Sequence, residues 1–209
     1  MKPKVAVIYY SSTGTIYRLA QEVVAGAQET GAVVKLCKVK ELAPPEAINS
    51  RPDWKRHLDE TANIPEATLS DLEWADAYAF GTPTRYGNVA AQLKQFLDTT
   101  GPLWAQGKLM NKAATCFTSA QNSHGGQEAT ILALYHTLAH WGCIIVPPGY
   151  TDPIQFQAGG NPYGVSATVP EGPDGQIPAP VLQAARFQGK RLATVAGWIL
   201  AGRGAGVTA

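Results

Sequence analysis

Charge is scarce in this chain. Charged residues fill 16% of its 209 positions, and 17 Lys plus Arg against 16 Asp plus Glu leave a formal net charge of +1. No run of Lys or Arg is dense enough to follow a phosphate backbone, so nucleic acid is excluded as the expected partner. Long apolar runs are also missing, and no stretch has the length a bilayer crossing requires. Met1-Lys2-Pro3-Lys4 leads straight into a strand-like run, without a signal-peptide apolar region or a small-residue cleavage site. Cysteine is sparse: Cys37, Cys116 and Cys143 are an odd number without a C-x-x-C pair, and each falls in a stretch that reads as strand. These are expected to be buried apolar thiols in a reducing cytoplasm, with no catalytic or metal-binding part. Disorder is excluded by a hydrophobic content of 45%.

What is present is an alternation of periods. Val5 to Tyr9 is a continuous apolar run, as expected of a parallel strand buried on both faces. Ile16, Leu19, Ala20, Val23, Val24 and Ala27 then recur at helical spacing, and Gly31 closes that helix. Further strands are expected at Val33 to Val39, Ala77 to Phe80, Ala113 to Ser119 and Cys143 to Val146. Helices are expected at Val89 to Leu97, Gln127 to His140 and Val181 to Leu200. Residues 41–65, interrupted by prolines and largely polar, read as a surface excursion or short helix; residues 148–180, rich in Gly and Pro, read as a long loop. The expected architecture is one α/β domain over residues 1–201, with a flexible tail at 202–209. It is flavodoxin-like and doubly wound, a five-stranded parallel sheet with helices on both faces. In such sheets ligands bind beyond the carboxyl ends of the strands, and the unusual loops here follow strands one, three and four.

The first of these loops is Ser11-Ser12-Thr13-Gly14-Thr15-Ile16. Unpaired N–H groups and the positive dipole end of the following helix favour an anion, the hydroxyls add donors, and Gly14 allows close approach. The loop has neither the Gly-Lys-Ser/Thr ending of a Walker loop nor a G-x-G-x-x-G turn, so it suits one terminal phosphate. Ser and Thr are equally ordinary helix caps, and the loop alone leaves both possibilities open.

The second loop, Gly81-Thr82-Pro83-Thr84-Arg85-Tyr86-Gly87-Asn88, and the third, Ser119-Ala120-Gln121-Asn122-Ser123-His124-Gly125-Gly126, are more distinctive. With the YYS start and the FLDTTGPLW, HGGQE, LAHWG, PYG and ARFQG stretches, the chain resembles the WrbA-type NAD(P)H:quinone oxidoreductases over nearly its whole length. Those are tetrameric flavodoxin-like proteins that bind FMN. The resemblance implies that Ser11, Ser12, Thr13, Gly14, Thr15 and Ile16 surround the FMN phosphate. Pro83, Thr84, Arg85, Tyr86 and Asn88 would edge the ring, and Ser119, Ala120, Gln121, Gly125 and Gly126 would follow the ribityl chain and the far edge. A Pro-stiffened turn can present N–H groups to the flavin pyrimidine, and Tyr86 can form an aromatic wall. Arg85 either places positive charge near the ring or makes a surface ion pair. His140 either caps helix carbonyls or, as the resemblance implies, stands at the flavin pocket, an adjacent subunit's included, where it could bond a quinone oxygen. Trp104 either packs or shapes a neighbouring subunit's substrate slot. Thr13 stands where some relatives carry an aromatic residue that stacks on the nicotinamide nucleotide, which Thr13 cannot do.

The expected function is two-electron reduction of quinones to hydroquinones, with NADH or NADPH as hydride donor and Arg85, His140 and Trp104 at the reacting centre. Tyr86, Trp104 and Thr13 would contact substrate. The protein would be a cytoplasmic homo-oligomer, a tetramer by resemblance. The alternatives are an electron carrier without quinone reductase activity, against which the near-neutral charge speaks, and a regulatory or scaffolding protein.

Overall fold

The structure is a computed structural model that describes residues 1–169 and 176–204. Five parallel strands form the centre: β1 (Lys4–Tyr9), β2 (Val33–Lys38), β3 (Ala77–Arg85), β5 (Ala113–Ala120) and β6 (Ile144–Ile145). Their order is β2-β1-β3-β5-β6, so the chain reverses direction across the sheet between β1 and β3. β4 (Asn88–Val89) folds back antiparallel on the end of β3, and β7 (Ser166–Thr168) runs parallel to the end of β5. The runs that read as continuously apolar are the central strands: Val5 to Tyr9 and all of β5 are buried. At the edge, β2 alternates between exposed and half-buried residues from Val33 to Leu36 and buries only Cys37, as a strand with one open side should.

Helices cover both faces. On one, α1 (Thr15–Glu29) and α9 (Ala179–Gly204) bury Leu19, Val23, Ala27, Val181, Ala185 and Leu192 against Val5, Val7, Ala79 and Phe117. On the other, α4 (Leu69–Trp74), α5 (Ala91–Asp98) and α7 (Gln127–His140) pack Leu72, Leu93, Leu97, Ile131 and Leu134 against Ile8, Tyr78 and Phe80. Short helices α2 (Pro45–Asn49), α3 (Pro52–Glu60), α6 (Gly101–Ala105) and α8 (Ile154–Gln157) lie in the connections. Among the described residues, no helix is long and apolar enough to cross a membrane.

Helices α1 and α9 touch backbone to backbone. A Cβ built on Gly26 would lie 1.8 Å from the Arg186 carbonyl oxygen, and one on Gly189 would lie 2.0 Å from that of Val23. Glycine is required at both positions for the helices to sit this close to each other and to the sheet.

Several boundaries differ from those expected. β3 continues past Phe80 to Arg85, so most of the second loop is strand; Pro83 is tolerated there because β1 ends opposite Gly81 and leaves that side of β3 open. Val89 belongs to β4, and the helix that follows starts at Ala91. The fifth strand shrinks to Ile144–Ile145, with Cys143 just ahead of it and half-buried. Burial pushes the Cys37 thiol up to about 11 and that of Cys143 up to about 12, and raises that of Cys116 as well, so the thiols stay protonated. The excursion at 41–65 contains two short helices, and the stretch at 148–180 contains α8 and β7, although 170–175 lie outside the described residues. The last helix runs on to Gly204, beyond the expected start of the tail, and 205–209 also lie outside.

The helix contact is testable by paired substitution. Gly26→Ala must push α1 and α9 apart and should cost about 3 kcal/mol. Gly197→Ala, where nothing lies within 4 Å of the new methyl, should gain about 1 kcal/mol from helix propensity alone. Chemical denaturation of the two variants checks both signs.

Candidate functional site

The carboxyl ends of β1, β3 and β5 open into one cavity of about 820 Å³. The first wall comes from the turn into α1. Gly14, at φ 101°, is the N-cap, and its N–H donates to Ser11 Oγ at 3.0 Å, which curls the loop so that Ser11, Ser12, Thr13, Thr15 and Ile16 line the cavity. The first N–H groups of a helix have no partner within it, so this end of α1 offers backbone donors and a positive dipole to an anion.

The second wall is the end of β3. Pro83, Thr84, Arg85 and Tyr86 line it, and Tyr86-Gly87 turns the chain into β4 with φ of 53° and 76°, the two-residue hairpin geometry that normally selects Asn-Gly. Tyr86 is held in the left-handed region with its ring fully exposed. Arg85 ties the two walls together: Nη1 donates to the Thr84 carbonyl at 3.1 Å and Nη2 to Ser12 Oγ at 3.3 Å.

The third wall is the end of β5, with Ser119, Ala120, Gln121, Asn122 and Gly125; Val169 closes it, its N–H donating to the Ala120 carbonyl at 2.8 Å. The HGGQE stretch joins this wall to the second. Thr84 Oγ1 donates to the Gly125 carbonyl at 3.2 Å and accepts the Gly87 N–H at 3.2 Å. A Cβ on Gly126, at φ 87°, would lie 2.6 Å from Gly87 Cα, so the two loops meet backbone to backbone. Gln127 is buried, and its amide donates to the Asn122 carbonyl at 2.8 Å and to Thr168 Oγ1 at 3.2 Å. The PYG stretch seats β7 in the same way. A Cβ on Gly164 would lie 2.1 Å from the Cys116 carbonyl, the Tyr135 hydroxyl donates to the Tyr163 carbonyl, and Gln188 Oε1 accepts the Val165 N–H at 2.8 Å.

A fourth wall was not visible in the sequence. Arg51, Asp53 and Arg56, from the polar excursion, also line the cavity. They are delivered by the Glu41 carboxylate, which accepts bonds from the Tyr10 hydroxyl (3.0 Å), Gln92 Nε2 (2.9 Å), Trp54 Nε1 (3.1 Å) and the N–H groups of Leu42 (2.8 Å) and Ala43 (2.9 Å). Burial works against ionisation of Glu41, yet these bonds, led by that of Ala43, outweigh it and hold the carboxyl below the usual range. His57, buried on α3, packs against Tyr17 with ring centroids 5.6 Å apart and the rings tilted by 49°, and covers Gly14. Burial also lowers the His57 pKa, so the ring is neutral at pH 7.

Of the expected site residues, Gly14, Asn88, Gly126, Trp104 and His140 do not line this cavity. Gly14 and Gly126 shape the loops from behind, and the Asn88 amide turns back to the Tyr86 carbonyl at 3.4 Å. Trp104 and His140 stand together elsewhere: Trp104 Nε1 donates to the His140 carbonyl at 2.9 Å at the end of α7, and the indole is 57% exposed.

Comparison with known proteins gives this geometry a context. The family model described as NADPH-dependent FMN reductase matches residues 3–154. A protein of Deinococcus radiodurans called NAD(P)H dehydrogenase (quinone) is 50% identical over 165 residues, 79% of this chain and 82% of its own length. One of the same name from Aromatoleum aromaticum is 41% identical over 208 residues, 97% and 100% of the two chains. Among solved structures, a flavodoxin-type, WrbA-like protein from Agrobacterium tumefaciens superimposes with a TM-score of 0.69 at 24% identity, over 94% of this chain and 99% of that one.

Replacing Tyr86 by Asn should stabilise the fold by about 1 kcal/mol, because Asn tolerates the left-handed turn, and a thermal melt measures it. Glu41 predicts an acid dependence. Its folded pKa lies below its ordinary value of about 4.5, so its contribution is complete above that pH and is lost as pH falls through the folded value. Between pH 6 and 3 the urea midpoint of the wild type should therefore fall further than that of Glu41→Gln.

Proposed function

The chain belongs to the NADPH-dependent FMN reductase family, and on that premise we propose that it is a WrbA-type quinone reductase, reducing quinones by two electrons at the expense of NADH or NADPH, with FMN as resident cofactor. The observation that carries this is the convergence of three strand-end loops on one cavity of about 820 Å³, an anion-favouring helix start at one end and a hydrogen-bonding hairpin at the other. The donor set fits FMN. Ser11 to Ile16 would hold a single phosphate with hydroxyls and backbone N–H groups, and among the described residues the cavity has no glycine-rich turn of the kind a pyrophosphate needs. Ser119, Ala120, Gln121 and Gly125 would follow the ribityl chain, and Pro83, Thr84, Arg85 and Tyr86 would edge the ring. Bound FMN would supply the hydride-accepting and hydride-donating ring.

The protein's own residues orient the partners. The Tyr86 side chain, wholly outside the core, would form one face of a flat slot open to nicotinamide and quinone in turn, as a ping-pong sequence requires. Arg85, fixed to Ser12 and Thr84, would place positive charge beside the ring and favour its anionic reduced form. Thr13 lines the cavity but offers no stacking surface to the nucleotide, which must then be held by other groups. In a tetramer, Trp104 and His140 would reach the cavity of a neighbouring copy, the indole narrowing the slot and the imidazole bonding a quinone oxygen. Their exposure, and the fact that neither lines this chain's own cavity, support that placement.

Stopped-flow mixing tests the proposal. FMN-loaded protein should lose its yellow colour with NADH or NADPH and regain it on addition of benzoquinone. Colour that persists with both nucleotides but is lost to a one-electron donor would establish the electron carrier instead. Ser12→Glu, which sets a carboxylate in the phosphate loop, should abolish FMN retention on a desalting column.

A further inference from the structure

The fourth wall carries chemistry of its own. Asp53 and Arg56 are three residues apart on α3 and therefore share a face, and His57 is the next residue around it. That face lies over the first loop, with His57 Nδ1 3.4 Å from the point a Cβ on Gly14 would occupy. Arg51, just ahead of the helix, is oriented by Asp53 through contacts of 3.3 Å at Nε and 3.0 Å at Nη2. Arg56 reaches Glu60 only at 3.9 Å, and its side chain is 69% exposed, so the pair is too loose to fix it. Arg85 arrives from the opposite wall with Nη2 on Ser12 Oγ. Among the described residues the cavity thus carries Arg51, Arg56 and Arg85 against one carboxylate, Asp53, in a chain whose net charge is only +1.

A phosphate monoester brings a charge of about −1.5 to −2 near neutral pH. The first loop answers it with hydroxyls, N–H groups and a helix end equivalent to about half a charge. His57, the buried residue of the α3 face, is an uncharged pad over Gly14 and supplies packing alone. Guanidinium groups offer the charge and a planar pair of donors that matches two phosphate oxygens.

We propose that Arg56, backed by Arg51, is a phosphate-monoester clamp that closes over the Ser11–Thr13 loop from the α3 side. Two phosphates have this chemistry, the 5′-phosphate of FMN and the 2′-phosphate of NADPH. The clamp rests on the flavin-binding function above, and a riboflavin control separates the failure of one from the failure of the other. Because Arg56 is exposed and remote from the core, its replacement leaves the fold intact, and a thermal melt confirms this.

The test titrates the full-length chain with FMN and with riboflavin, read by flavin fluorescence. Arg56→Ala should weaken FMN binding by about tenfold, leave riboflavin binding within about twofold, and be partly rescued by Arg56→Lys; Arg51→Ala should act in the same direction. The second arm titrates the flavin-loaded protein with adenosine 2′,5′-bisphosphate and with 5′-AMP. A loss of about tenfold confined to the bisphosphate assigns the clamp to the nucleotide's 2′-phosphate. Unchanged binding of both FMN and the bisphosphate, or equal losses of FMN and riboflavin, overturns the clamp. A wild-type chain that binds neither flavin overturns the flavin-binding function, and the clamp with it.

Discussion

The Glu41 carboxylate sits where four parts of the chain must be brought together. Two oxygens accept donors from the end of β1, from α5, from α3 and from the turn that starts the excursion. Loss of this carboxylate would leave several partly buried donors without an acceptor at once, which costs more than any one bond contributes. α3 has only a short inward stripe, Trp54, His57 and Leu58, to fix it over the first loop. Its position follows from the Trp54 tether and from the His57 ring seated on Gly14. An excursion that looks disposable by composition is therefore part of the cavity.

Elsewhere the site is held by closeness rather than by charge. Gly126 against Gly87, Gly164 against the Cys116 carbonyl and Gly26 against the Arg186 carbonyl each let two backbones meet where a methyl group would not fit. Threonines complete the joints: Thr82, Thr84 and Thr130 link the end of β3 to the third loop, the start of α5 and the start of α7 through side-chain bonds. Three loops that would be mobile alone thereby become one surface, which a cofactor held in a fixed orientation requires.

Much of this was legible from residue order. Apolar runs located β1, β3 and β5, and helical spacing located α1, α7 and α9, because buried central elements impose their period on sequence. The loops were legible because their Gly, Pro and hydroxyl residues follow strands. The end of β3 was not, since Pro83 imitates a loop and only the absence of β1 on one side makes it tolerable. Nor was the fourth wall: Arg51 and Arg56 fall in the polar stretch that reads as a surface excursion, because the contact that places them, His57 on Gly14, joins segments far apart in sequence. β7 escaped for a related reason. Three residues, Ser166-Ala167-Thr168, carry no period, and they become a strand only by pairing with Thr118-Ser119-Ala120.

That pairing gives the sheet a spliced edge. β6 runs beside Ala113 and Ala114, and β7 beside Thr118 to Ala120, so one position in the sheet is filled by two pieces of chain that are not consecutive. The segment between them leaves the sheet beside Ala114 and returns to it further along the same strand, beside Thr118. Its length is therefore free of the spacing that governs every other connection in the fold. Residues could be added at the Gly159-Gly160 turn, where nothing lies within 4 Å of either added Cβ, without shifting any strand, which makes that turn a suitable port for an inserted domain.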